Sequence, residues 1–411
     1  MGMAASAALR VMRMGGGSLP YSSLSDHHRR MTRGGNAMDD GLKPYRGLRV
    51  LDAGQGIAGP YCGMLLAAAG ADVIKLEPPE GDWSRGLSTR RDGHSVMHTT
   101  FNRGKRSVVL DLKTPEGRQA ASALAARADV LIEAFRPGVA ARLGLGPDAT
   151  PENAVCLSIS GFGQQGPHAE RPCTDSVAQA YSGLVALNPG ADGTPHKVGT
   201  FVSDVVAGIS AFAAVQAALA QRQLDPTPRR RVLDVSLMAG TAALIAFPIA
   251  ESGLLGRTPA ALNVPAGSYR AACGRWVMLA LVREAEFVAL CQTIGVPELP
   301  KDPRFESFAA RDQNRDALLP ILREVFARET AEHWLRLLHG ARLMAETVNT
   351  PLDWLADHHV QAVGAAGTVQ QPGLGAVPMP NLPGLGPWLA PAPAMGADTE
   401  AVLAELRAMA G

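Results

Sequence analysis

The chain has 411 residues, with 39 basic and 38 acidic side chains and a net charge of +1. That length exceeds one ordinary hydrophobic core, so two domains are expected, and the charge balance gives no general attraction for nucleic acid or an anionic membrane. The five cysteines, Cys62, Cys156, Cys173, Cys273 and Cys291, are scattered and never form a C-x-x-C pair, which argues against a disulfide framework or a zinc knuckle.

Residues 1–40 stand apart. They carry Arg10, Arg13, Arg29, Arg30 and Arg33, with no acid before Asp26. Transit peptides have that composition, but nothing downstream needs the segment, and it reads as a disordered tail. Leu48–Ala53 is a short apolar run ending at glycines and is predicted as a buried strand. Tyr61–Ala69 is rich in Ala and Leu and stops at Gly70, a helix with a glycine C-cap. Ala71–Glu77 is the next strand. Thr114 and Pro115 supply an N-cap and a first turn for a helix reaching about Ala126. Asp129–Glu133 and Ala154–Ser160 are further strands. Strands alternating with helices predict a doubly wound parallel sheet, an α/β fold of Rossmann type. Ser203 reads as the N-cap of a long helix with Val205, Ile209, Phe212, Val215 and Leu219 along one side. The pattern changes from about residue 232. Arg275–Leu281 reads as a strand, 284–340 as mostly helical, and Thr399–Ala408 as a last helix. The apolar run Met238–Ala250 is too short to span a bilayer and contains Pro248.

Gly54-Gln-Gly-Ile-Ala-Gly59 spells G-x-G-x-x-G between a strand and a helix, and Glu77 ends the next strand. These are the letters of a dinucleotide site, with Gly54, Gly56, Gly59 and Glu77 as its elements. The same letters also make a tight strand-to-helix turn, with Pro60 in the first helical turn. His94 and His98 lie four apart without the glutamate of a zincin, so chance spacing accounts for them. Asp204 falls at the start of the long helix, where the dipole favours its ionised form. It is either an ordinary first-turn acid or a carboxylate nucleophile.

Several stretches in order resemble the class III CoA-transferase family, whose members include formyl-CoA and carnitine CoA-transferases and, as relatives, α-methylacyl-CoA racemases. They are Gly47–Asp52, Ala58-Gly-Pro60, Gly70–Asp82, Asn102–Ser107 with Leu110–Lys113, Ala128–Gly138 with Arg142–Gly146, and Gly161–Pro167 leading to Arg171-Pro172, Asp175 and Gln179. Weaker matches resume at Asp302–Phe305 and Val348-Asn349, and the last is Asp398–Leu403. The resemblance implies that the glycine loop bounds a site for coenzyme A rather than NAD, and that Asp204 is the nucleophile. It implies contacts to CoA or substrate at Ile57, Ala58, Pro78, Leu110, Asp111, Leu112, Lys113, Ala134, Phe135, Arg136, Arg142, Arg171 and Thr174. Lys113, Arg136, Arg142 and Arg171 would neutralise phosphates.

The activity implied is transfer of CoA from an acyl-CoA to a carboxylic acid through an aspartyl anhydride and an aspartyl-CoA thioester. Coenzyme A enters as part of the substrate, and no cofactor or metal is expected. Ile57 and Tyr269 are the candidates for shaping the acyl pocket. The racemase alternative needs a histidine where this chain has Thr174, and a hydroxyl is too weak a base to replace it. Its supporting glutamate falls near Arg283, beside Glu284. An NAD-dependent oxidoreductase and a non-enzymatic CoA-binding scaffold are the remaining alternatives. The resemblance also implies a large CoA-binding domain over 44–230 and 360–411, a smaller α+β domain over 235–345 and an interlocked homodimer. With the balanced charge, a cytoplasmic enzyme that binds neither nucleic acid nor membrane is expected.

Overall fold

A computed structural model describes residues 42–408, apart from 191, 226 and 260–262. The expected N-terminal tail, residues 1–40, lies outside the described residues. The larger core is built on strands β1 (Arg49–Asp52), β2 (Asp72–Glu77), β5 (Arg106–Val109), β6 (Val130–Glu133), β7 (Val155–Ser160) and β8 (Arg231–Ser236), with a short β3–β4 hairpin (Arg90–Arg91, His94–Ser95) between β2 and β5. The six pair in the order β5-β2-β1-β6-β7-β8, all parallel. That is the doubly wound arrangement, whose order reverses between β1 and β6. Ligands of such sheets enter the crevice beyond the strand C-termini at this switch point.

The local reasons are readable. All four residues of β6 are buried, as are the last three of β1, because helices cover both faces of a parallel sheet. Helix α1 (Ala58–Ala68) starts three residues earlier than the composition alone places it, with Pro60 in its first turn. Helix α2 (Val96–Asn102) follows the hairpin. His98 Nδ1 lies 3.0 Å from Ser84 Oγ and His94 Nδ1 3.1 Å from Gln371 Nε2, so these two histidines face different partners. Helix α3 (Pro115–Ala125) is capped by Thr114, whose Oγ1 accepts from Gly117 N at 3.0 Å. Two shorter helices, α4 (Val139–Arg142) and α5 (Asp175–Tyr181), precede the long α6 (Val202–Leu224).

By length and composition α6 could cross a bilayer. Its inner face instead joins the sheet core through Ala207, Ala211, Val215, Ala218 and Leu219. Gly208 lets it close on α1: a Cβ there would lie 2.9 Å from Ala58 O and 3.1 Å from Tyr61 Cβ. The apolar run over 238–250 breaks at Ile245 into two helices, Leu237–Leu244 and Ala246–Leu255, bent by 76°.

A second core surrounds an antiparallel sheet of Gly267–Arg270, Trp276–Ala280 and Met344–Thr347. Tyr269 belongs to this core rather than to an acyl pocket. It is 2% exposed, stacks on Phe326 at 4.7 Å and donates to Pro265 O at 2.6 Å. Glu284 is also committed, accepting from Phe308 N and pairing with the buried Arg311. The C-terminal helix Thr399–Ala408 returns to the large sheet, where Ser107 N donates to Asp398 Oδ2 and Val109 N to Thr399 Oγ1, covering the β5 edge.

Candidate active site

The glycine loop after β1 rests on a buried ion cluster. Gly54 N donates to Asp52 Oδ1 at 3.0 Å, and Gly56 N to both oxygens of Asp82 at 3.0 and 3.1 Å. Lys105 Nζ holds Asp52 Oδ2 at 2.7 Å, Pro60 O at 2.7 Å and Asn102 Oδ1 at 2.9 Å. Lys75 Nζ pairs with Asp82 at 2.8 Å and donates to Gly54 O. None of these four charged side chains is exposed. Burial pushes Lys105 down to about 8, against the opposing pull of Asp52. Burial also works against the charge of Lys75, yet Asp52 and Asp82 together hold it above the ordinary lysine value.

Glu77 receives Arg85 through two 2.7 Å bonds, together with Ser107 Oγ and Asp82 N. Burial opposes its ionisation, but the Arg85 bonds outweigh it and bring its pKa down to about 2. The groups that a dinucleotide fingerprint offers to pyrophosphate and ribose are therefore spent on protein partners. Gly56 is required by contact as well: its φ is +79°, and a Cβ would sit 2.0 Å from Trp83 Cζ2.

Beyond the strand C-termini lies a cavity of ≈ 400 Å³. It is lined by the glycine loop and α1 start (Gln55, Ile57, Ala58, Gly59), Trp83, Ala134 after β6, Ile159–Gly161 at the end of β7, Cys173–Ser176, Phe201, Asp204 and Leu237. A second cavity of ≈ 220 Å³ shares Gln55 with it and is lined by Pro78, Asp111, Leu112, Lys113 and Phe135 among others. Of the residues singled out by sequence, Ile57, Ala58, Ala134, Thr174 and Asp204 meet in the first cavity, and Pro78, Asp111, Leu112, Lys113 and Phe135 in the second. Leu110 is buried in the core beneath. Arg136, Arg142 and Arg171 are exposed and line neither cavity, with Arg171 lying over the Phe162 ring at 5.4 Å. Gln55, Trp83, Ser176 and Phe201 escaped the sequence reading, because an isolated polar or aromatic residue at a turn or helix start carries no periodic signal.

Asp204 sits in the first turn of α6, but Ser203 is not its cap. The N-cap position is Phe201, which makes no side-chain cap bond. Asp175, at the start of α5, caps the helix from outside. Its Oδ1 accepts from Ser203 N at 2.7 Å and Asp204 N at 3.4 Å, and its Oδ2 from Gln179 Nε2 at 2.6 Å. The dipole expected to favour the ionised form of Asp204 is outweighed here. Burial, and then the Asp175 charge, push Asp204 up to about 7. Desolvation of the carboxylate outweighs a helix end whose N–H groups are already spent on another carboxylate.

A family model described as CoA-transferase family III matches residues 45–399. The chain belongs to CoA-transferase family III. It is 33% identical to a succinyl-CoA–D-citramalate CoA-transferase of Chloroflexus aurantiacus, over 85% of this chain and 91% of that one. It is 34% identical to an acetyl-CoA:oxalate CoA-transferase of Acetobacter aceti, over 75% and 83%, and 30% identical to a mouse succinyl-CoA:glutarate CoA-transferase, over 83% and 80%. A crystal structure of a CAIB/BAIF family protein from Brucella suis superposes with a TM-score of 0.76 at 30% identity, covering 89% of this chain and 100% of that chain. The protein is thus a class III CoA-transferase, and members of such enzymes act on an acyl-CoA and a carboxylate.

For this transferase the position of Asp204 predicts a pH profile. If Asp204 acts as an ionised nucleophile, kcat/KM rises with pH and levels off above about 7. Asp175→Asn removes the neighbouring charge, so the midpoint is expected to move down, toward the ordinary carboxylate range. Rate–pH profiles of both proteins, with loss of the acid limb or an upward shift in the variant, would count against the pairing.

Proposed function

We propose that this enzyme moves CoA from an acyl-CoA thioester to a carboxylic acid acceptor through covalent intermediates on Asp204. The observation that carries this reading is a carboxylate lining a cavity that shares one wall, Gln55, with the cavity around Pro78 and Lys113. A thioester can then reach Asp204 while the rest of CoA extends past Gln55. Asp204 attacks the thioester carbonyl, the C–S bond breaks, and CoA thiolate leaves an acyl-aspartyl anhydride. The thiolate attacks the Asp204 carbonyl and expels the donor acid, giving an aspartyl-CoA thioester. The acceptor carboxylate displaces the thiolate to form a second anhydride. Attack of the thiolate on the acceptor's carbonyl releases acceptor-CoA and restores the Asp204 carboxylate. No proton is gained or lost overall, and exchange through anhydrides is nearly balanced in energy.

The first-turn N–H groups of α1 at Ala58 and Gly59 and the turn at Gly161 are the oxyanion donors in this reading. Thr174, on the cavity wall, is no proton acceptor near neutral pH, which favours acyl exchange over racemisation. The named reactions of the relatives, with citramalate, oxalate or glutarate, support a dicarboxylic acid as the acceptor. The decisive test is trapping. After incubation with an acyl-CoA and then hydroxylamine, peptide mass spectrometry should find a hydroxamate at Asp204, and a modification that is absent or lies elsewhere overturns the reading.

A homodimer of interlocked chains completes the proposal. It is supported by exposed apolar side chains on the helix Ala246–Leu255, among them Phe247, Ile249 and Leu254, and on the small sheet at Trp276 and Met278. Light scattering at micromolar concentration should give twice the chain mass of 43.0 kDa, and a monomer would exclude it.

A further inference from the structure

The charge inventory of the Asp204 cavity bears on which acid it receives. Its ionisable lining groups among the described residues are Asp175, Asp204 and Cys173, with no lysine, arginine or histidine. A dicarboxylic acid that brings one carboxylate to Asp204 must hold its second away from those two acids. Lys197 is at hand. It is exposed, and its Nζ lies 3.0 Å from the hydroxyl of Ser176, a residue of the cavity wall. It forms no ion pair among the described residues, and one of its three N–H donors suffices for Ser176.

The backbone that carries Lys197 is pinned on both sides. His196 N donates to Asn188 O at 3.0 Å, and Asn188 Nδ2 returns a bond to His196 O at 3.0 Å. On the other side Val198 N donates to Gln179 Oε1 at 2.9 Å. Gln179 binds Asp175, and Asp175 binds the amide of Asp204. One hydrogen-bonded chain therefore ties the lysine's segment to the first turn of α6, so a long flexible side chain starts from a backbone held relative to Asp204.

We infer that Lys197 is a specificity-determining residue, pairing at the mouth of the cavity with the second carboxylate of a dicarboxylic acceptor. The inference rests on the transfer reaction proposed above and adds the residue that selects its acceptor. Lys197 touches no reacting atom. It lowers the KM of acids with a second negative charge and leaves the chemistry on Asp204 unchanged. Lysine rather than arginine fits the task, since a compact ammonium on a four-carbon stem can follow acids of different length.

The test compares succinate with butyrate, acids of equal chain length, using the acyl-CoA donor that labels Asp204 fastest. In Lys197→Met the KM for succinate should rise about tenfold, the loss of one charge-assisted hydrogen bond. The KM for butyrate, the KM for the donor and the rate of Asp204 labelling should stay as in wild type. Lys197→Arg should recover most of the preference for succinate, and added salt should narrow it in wild type but not in Lys197→Met. An unchanged KM for succinate, or an equal rise for both acids, overturns the role of Lys197. Asp204 labelling, followed in the same samples, reports on the transfer chemistry separately.

Discussion

Asp204→Asn is expected to lower turnover by at least ~10⁴-fold, as loss of a covalent nucleophile does. The amide keeps the shape of the side chain and can remain in the first turn of α6, so the packing around it is preserved. Coenzyme A binding should persist, because the cavity at Pro78 and Lys113 lies on the other side of Gln55. The two effects separate in steady-state rates and in calorimetric titration with CoA. Turnover within about tenfold of wild type would remove Asp204 from the mechanism.

The same substitution carries a signature in stability. The folded chain holds the Asp204 proton up to about pH 7, whereas an ordinary aspartate releases it near 3.8. Between those values the native state binds more protons than the unfolded chain, so wild-type stability falls as pH rises through the window. The penalty is complete above about 7. Asp204→Asn should therefore be more stable than wild type at pH 8, with the gain vanishing in acid. Denaturant titrations at the two extremes check the sign.

Lys105→Met is expected to destabilise the fold by about 3–5 kcal/mol, the range for removing one partner of a buried ion pair. Methionine matches much of the stem volume but leaves Asp52 Oδ2, Pro60 O and Asn102 Oδ1 without their shared donor. The damage should extend beyond stability. Asp52 Oδ1 also anchors Gly54 N, so the glycine loop loses one of its supports. A fall in the urea midpoint together with a raised KM for acyl-CoA is the expected pair of results. A variant as stable as wild type would show that the cluster is solvated in solution rather than dry.

Much of this architecture is legible in the sequence. Val50–Asp52 and Val130–Glu133 are nearly continuous apolar runs because both faces of their strands are covered, and such runs stand out in a sequence. β8 was missed for the complementary reason. Arg231–Ser236 is a sheet edge with Val232 and Asp234 exposed and Leu233 and Val235 only half-buried, and it merges with the polar stretch before it. The recurring stretches at 47–52, 70–82 and 102–107 identified the family, and the structure gives them a shared physical purpose. They supply Asp52, Lys75, Asp82, Asn102 and Lys105, the parts of one buried cluster.

The sequence by itself determined the alternation of strands and helices around β1, β2, β6 and β7, the turn chemistry at Gly54–Pro60 and the position of Asp204 near a helix start. All three depend on neighbours a few residues away, and short-range periodicity and capping rules reach that far. Only the tertiary structure decided that Gly56 N belongs to Asp82, 26 residues on, and that the end of α6 is capped by Asp175, 28 residues before Ser203. It also decided that Tyr269 lies in the second core and that Asp204 titrates near 7. Each of these depends on burial or on carboxylates delivered from distant parts of the chain. Such contacts come from how the sheet and its helices pack, and no local pattern encodes them.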